Sequence, residues 1–194
     1  DIEAQGWIAP ADCVEVRVTL TDEERLQYAV AENEEKYKLC STAHTKVNVV
    51  KSILAKHAGS PTLVIGAYID QLEELGRELD APVIQGSTKN KEREVLFDRF
   101  RSGELQTLVV SKVANFSIDL PEASVAVQVS GTFGSRQEEA QRLGRLLRPK
   151  KDGGQAHFYS VVSRDTLDAD YAAHRQRFLA EQGYAYRITD ADDL

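Results

Sequence analysis

Apolar and polar positions along this chain fall into two alternating rhythms. Val14-Glu15-Val16-Arg17-Val18-Thr19 alternates at period two and predicts a strand. Thr21, with Glu24 three residues on, forms a capping box that opens a polar helix reaching about residue 36. Residues 43–58 suit another helix, stopped by Gly59-Ser60-Pro61. Short continuous apolar runs then alternate with helical spacing. Thr62-Leu63-Val64-Ile65 predicts a strand buried on both faces, and Leu72, Leu75 and Leu79 place a helix over 68–79. Further strands are expected at 82–84, 108–110, 125–129 and 156–162, with helices at 91–101, 136–147 and 167–182. This alternation calls for βαβ units with right-handed crossovers, hence an α/β fold with an open parallel sheet and helices on both faces. Ligands of such sheets gather beyond the carboxyl ends of the strands, so functional residues are expected in loops after strands or at helix starts.

Composition narrows the class. The 194 residues are 42% hydrophobic and 28% charged, enough for one domain with a substantial core. No apolar run approaches the ~20 residues that cross a bilayer, and no basic segment followed by an apolar one opens the chain. The start at Asp1, without Met, suits an excised piece of a larger protein. Cys13 and Cys40 give no disulfide framework and no metal-ligand spacing, as expected of a cytosolic protein. His44, His57, His157 and His174 are scattered, so no metal site is expected.

Thirty-one acidic residues against 24 basic ones leave a net charge of −7, which argues against a sequence-independent DNA coat. A protein touching a few phosphates with loops is still allowed. The charge is uneven: residues 22–35 are strongly acidic, whereas Arg136 to Lys151 holds six basic residues against two acidic ones.

That basic segment contains the sharpest pattern, Gln141-Arg142-Leu143-Gly144-Arg145-Leu146-Leu147-Arg148-Pro149. Ser135 and Glu138 form a capping box in front and Pro149 ends it. On a helix, Gln141, Arg145 and Arg148 fall within about 60° of one another, with Leu143, Leu146 and Leu147 on the opposite side. Gly144 sits beside the polar stripe, where a missing side chain permits close approach. From spacing alone, such a stripe suits either a solvated arginine face or guanidiniums aimed at a phosphoryl group, whose spreading charge a planar cation neutralises.

The string Gln-Arg-x-Gly-Arg-x-x-Arg resembles motif VI of superfamily 2 helicases. By that resemblance Arg145 and Arg148 are arginine fingers for ATP held by another lobe, Gln141 senses the γ-phosphate, and Gly144 belongs to the ATP-facing surface. Upstream, the run from Leu108 to Pro121 looks like motif V. The resemblance gives Ser111 and Lys112 a place on the nucleic-acid backbone and Asp119 a contact with the nucleotide ribose. Ser117 departs from the glycine usual there. Val83-Ile84-Gln85-Gly86-Ser87-Thr88, followed by Glu92-Arg93, looks like the element following motif IV, and Ser87, Thr88 and Lys89 are its expected DNA contacts. Leu63 to Tyr68 fits motif IV itself.

Gly134-Ser135-Arg136-Gln137-Glu138-Glu139, with Leu147-Arg148-Pro149-Lys150, is similar to the bacterial type of XPB helicases rather than to DEAD-box RNA helicases, which usually carry His at the Gln141 position. The likeness covers about residues 40–185. It implies a RecA-like second lobe at 40–194, with 1–39 a linker and helical segment leading out of a first lobe. The implied function is ATP-dependent DNA helicase or translocase action in DNA repair. Expected partners are the first lobe, DNA, and a repair nuclease or transcription and repair factors, without a membrane, in a cytoplasmic, nucleoid-associated protein. ATP and Mg²⁺ are implied for the full-length enzyme. Neither a Gly-x-x-x-x-Gly-Lys-[Ser/Thr] loop nor an acidic magnesium motif occurs in this sequence, so the chain alone is expected to hydrolyse no ATP and to bind nucleotide weakly. A non-enzymatic RecA-like docking module and an RNA helicase lobe are the competing readings.

Overall fold

The computed structural model describes residues 11–112, 120–131, 146–149 and 154–194. Asp119, Gln141, Gly144, Arg145 and most of the expected helix at 136–147 lie outside these residues. Seven described strands form one wholly parallel sheet: β1 (Ala11–Val18), β2 (Thr62–Gly66), β3 (Val83–Ile84), β4 (Thr107–Ser111), β5 (Val125–Gln128), β6 (Ala156–Ser163) and β7 (Ala185–Asp190). Their order is β3-β4-β2-β5-β6-β1-β7. All carboxyl ends therefore share one edge of the sheet.

The apolar runs explain why the centre is buried on both faces. Leu63, Ile65, Leu108, Val110, Ala126 and Phe158 pack with Leu96, Phe97 and Phe100 of α5 (Asn90–Arg101) and Leu179 of α6 (Leu167–Glu181). The intervening Val64, Val109, Val127 and Tyr159 join the other layer. There they meet Val47, Val50 and Ile53 of α3 (Lys46–Lys56) and Leu72 and Leu75 of α4 (Ile69–Leu79). Period-two alternation thus feeds two cores, one on each side of the sheet.

Three local features depart from the sequence reading. The single helix expected from Thr21 is two, α1 (Asp22–Val30) and α2 (Asn33–Ser41), broken where Ala31 and Glu32 are extended and Asn33 takes φ +51°. Its capping box is present, with Thr21 Oγ1 accepting from Glu24 N and Glu24 Oε1 from Thr21 N. Strand β1, placed by the sequence in the leading segment 1–39, pairs with both β6 and β7 in the sheet. Strand β7 had no sequence signal because it is an edge strand with mostly exposed and half-buried positions. Among the described residues no helix is long and apolar enough to cross a membrane.

Candidate nucleic-acid cleft and arginine edge

Where β2, β3 and β4 end, their loops enclose a cleft of about 390 Å³ lined by Lys38, Ala67, Tyr68, Gln85, Gly86 and Ser111, together with Ile69 and Asp70. Its floor is fixed by tight backbone approach. A Cβ on Gly66 would lie 2.9 Å from both Ser130 Oγ and Leu72 Cδ2, so glycine lets these side chains close over the end of β2. Ala67 N donates to Ser130 Oγ at 2.9 Å, tying the end of β2 to the end of β5. Gly131, at φ +80°, continues this tie, because a Cβ there would lie 2.6 Å from that of Ala67.

The loop after β3 is preformed. Thr88 Oγ1 accepts from Gln85 N, and Thr88 N donates to Gln85 O, both at 3.0 Å. Beneath it the buried Arg93 donates from Nη2 to the carbonyls of Gln85 and Gly86 at 3.1 and 3.2 Å. With those carbonyls occupied, the loop's exposed Ser87 and Lys89 face solvent at the start of α5, a favourable place for phosphate. Ser111 is buried but lines the cleft. Lys112 is buried too, its stem beside Gly131, so the ammonium predicted for a surface contact is not presented openly. The structure brings Ser111 to the loop that carries Ser87–Lys89, and it adds Lys38 and Tyr68, which sequence patterns did not single out.

The arginine end of the expected motif VI lies elsewhere. Leu146 and Leu147 are buried in the core, as the leucine-lined side of that helix requires. Leu147 bridges Ala123, Ala123 N donates to Leu146 O, and Arg148 N donates to Ala123 O at 2.9 Å. Ala123 precedes β5, so Arg148 is pinned at the amino edge of the sheet, away from the carboxyl-edge loops where functional residues were expected. Its Nε lies 3.2 Å from Glu122 Oε1, with the two side chains 42% and 62% exposed. The guanidinium is therefore paired outward on a rim, not sealed in the core. Such exposed pairs are worth about 0–1 kcal/mol and release readily. An outward cation on a rigid backbone anchor fits an anionic group brought from outside this chain.

No group of His, Cys, Asp and Glu that could hold a metal ion occurs among the described residues. Deeper polar pairs serve the fold. Lys46 Nζ, buried, donates to Asp168 Oδ2 at 2.8 Å and Val129 O at 2.7 Å, while Ser163 N donates to the same carboxylate. At the amino edge, His57 Nε2 lies 2.6 Å from Tyr159 Oη, and burial pushes that phenol up to about 12.

A wholly parallel sheet in this order, with helices on both faces, is the RecA-like architecture of helicase C-terminal domains. The chain superposes on the C-terminal domain of the DEAD-box protein Dbp5 with a TM-score of 0.67, covering 96% of this chain and 92% of that one at 15% identity. It also matches a DEAD-box protein from Methanococcus jannaschii with a TM-score of 0.60 over 97% of this chain and 43% of that one, at 16% identity.

Sequence comparison goes further: residues 2–193 match the ERCC3/RAD25/XPB C-terminal helicase family model, and the chain belongs to that family. It is 79% identical over its full length to the DNA 3'-5' helicase XPB of Mycobacterium tuberculosis and 75% identical to that of Kineococcus radiotolerans. It spans 35% of each of those proteins. The general transcription and DNA repair factor IIH helicase/translocase subunit XPB of Drosophila melanogaster is more distant, 35% identical over 97% of this chain and 24% of that protein.

Proposed function

We propose that this chain is the second motor lobe of an ATP-driven DNA helicase or translocase acting in DNA repair. It supplies Arg145 and Arg148 to ATP·Mg²⁺ held by a first lobe, and carries part of the DNA track across the ends of β2, β3 and β4. The observation that supports this most is the separation of the two edges. The hydroxyl loop and cleft occupy the carboxyl edge, and Arg148 stands outward at the amino edge on a backbone clamped to Ala123. A lobe so built can face nucleic acid with one side and a neighbouring lobe with another.

Each residue then has a physical task. ATP bound by the first lobe supplies the transferable phosphoryl group. Arg145 and Arg148 neutralise the charge that develops on it, Gln141 senses it, Gly144 permits close approach, and Asp119 meets the ribose. Ser87, Thr88, Lys89 and Ser111 contact DNA phosphates, with Lys112 behind them. The sequence contains no phosphate loop or magnesium carboxylate motif, so hydrolysis belongs to the two lobes together. The partners in this reading are the first lobe, DNA, and a repair nuclease or transcription and repair factors, in the cytoplasm at the nucleoid.

The test is made in the full-length protein. Arg145→Ala and Arg148→Ala are each expected to cut DNA-stimulated ATP turnover by ~10³-fold with a smaller change in nucleotide affinity. Near-normal turnover in both variants would refute the finger assignment and favour a non-enzymatic docking module. Comparing DNA with RNA duplexes in unwinding assays separates this reading from an RNA helicase.

A further inference from the structure

Beside the cleft at the ends of β2–β4 opens a second cavity of about 870 Å³, and it is aromatic. Tyr37 of α2, Tyr68 ahead of α4 and Tyr171 of α6 line it, with Lys38 and Leu167. Lys38 and Tyr68 line both cavities, so the two adjoin along one side of the lobe. Tyr37 is the hub. Its ring stands edge-on to Tyr171 at 5.0 Å between centroids and tilted to Tyr68 at 6.4 Å. Its hydroxyl accepts from Gly131 N at 3.1 Å, which fixes the cluster to the turn that ends β5. Tyr171, by contrast, is 45% exposed.

Charge decides what fits. Burial pushes the Tyr37 and Tyr68 phenols upward, so both rings are neutral at ordinary pH. Lys38, whose Nζ stands 5.9 Å over the Tyr68 ring, is the cation at the junction of the two cavities. Glu34 and Glu35 form the acidic rim of the aromatic cavity and would repel a phosphate there. An uncharged flat ring suffers no such repulsion and stacks on tyrosine whatever its identity.

From these contacts the geometry points to a base-stacking station: single-stranded DNA keeps its phosphates over the Ser87–Lys89 loop and Lys38, and turns a base into the cavity against Tyr68 and Tyr171. This rests on the DNA-track reading above and adds to it a contact with the bases, which the hydroxyl loop does not make. The station is built from two helices and the β2–α4 turn, so it exists only in the folded lobe.

The experiment compares an ordinary single-stranded oligonucleotide with the same strand made abasic, bound to the full-length protein. Tyr68→Ala and Tyr171→Ala are each expected to weaken binding to the ordinary strand about tenfold, with Tyr68→Phe and Tyr171→Phe restoring it. The abasic strand should bind the parent protein as weakly as the ordinary strand binds the Ala variants, with no further loss in those variants. Reading both strands on the same variant protein separates stacking from a folding defect. Equal losses on both strands would overturn the station, and so would none on either; the latter leaves the tyrosine cavity to a cationic protein side chain. Lys89→Ala and Ser87→Ala guard the parent reading. If they weaken binding while the tyrosine variants do not, the station alone fails. If they leave binding intact, the track itself is misplaced.

Discussion

Two ion pairs in this lobe, alike in chemistry, sit in opposite surroundings. Lys46 and Asp168 meet at 2.8 Å with side chains 1% and 10% exposed, joined by Val129 O and Ser163 N. Arg148 and Glu122 meet at 3.2 Å on an open rim. The buried pair fastens α3 to α6 across the end of β5, and neither partner can leave without stranding the other's charge. The rim pair is screened by water and gives up its guanidinium at little cost. Burial thus distinguishes a cation used as a rivet from one held at the rim.

The largest expected effect sharpens that contrast as a double dissociation. Arg148→Ala should cut turnover in the full-length protein by ~10³-fold yet change unfolding free energy by less than about 1 kcal/mol. Lys46→Ala should do the reverse, destabilising the lobe by about 3–5 kcal/mol in denaturant titrations because Asp168 is left buried and uncompensated. Comparable stability losses in the two variants would erase the distinction.

A smaller effect is expected in binding. Removing the exposed Lys89 should reduce the slope of log K against log salt by about one unit for single-stranded DNA, the signature of one lost phosphate contact. An unchanged slope would remove Lys89 from the track.

Smaller again is a pair of intermediate burial. Arg187, hydrogen-bonded to Asp12 at 2.8 Å, holds that carboxyl below its ordinary value, with burial opposing it. A carboxyl depressed in the folded state stabilises above its unfolded value of about 3.9 and loses that contribution as pH falls through its folded value. Asp12→Asn should therefore lower stability by at most about 1 kcal/mol at pH 7. The gap to the parent should narrow as unfolding is measured at pH values below about 3.9. Least of all, Glu122→Gln should leave both stability and turnover within experimental scatter, since the pair is solvent-exposed and Arg148 Nη1 still donates to Leu147 O. A large loss there would show that the rim pair is structural after all.

The sheet was legible from sequence because burial on both faces demands continuous apolar runs, as in Thr62–Ile65 and Val125–Val129. Edge strand β7 was not, since Ala185–Asp190 faces solvent and has no apolar run to betray it. The break between α1 and α2 escaped notice because Ala31-Glu32-Asn33 carries neither Gly nor Pro, the residues that usually announce a turn. The Gln85–Lys89 loop could be read because hydroxyls, Gly and Lys lie together in sequence. The burial of Arg93 beneath it, Lys46 opposite Asp168, and the clustering of the tyrosines of α2, α6 and the β2–α4 turn could not. Their meanings depend on neighbours distant along the chain.

The seating of β1 between β6 and β7 has an unremarked outcome for how the lobe is assembled. β1 must wait, unpaired, for residues 156–163 and 185–190 before it gains a neighbour in the sheet. Until then β5 presents a naked parallel border, open to pairing with other chains. A chain trimmed to begin at residue 40 would lose the strand that joins β6 to β7.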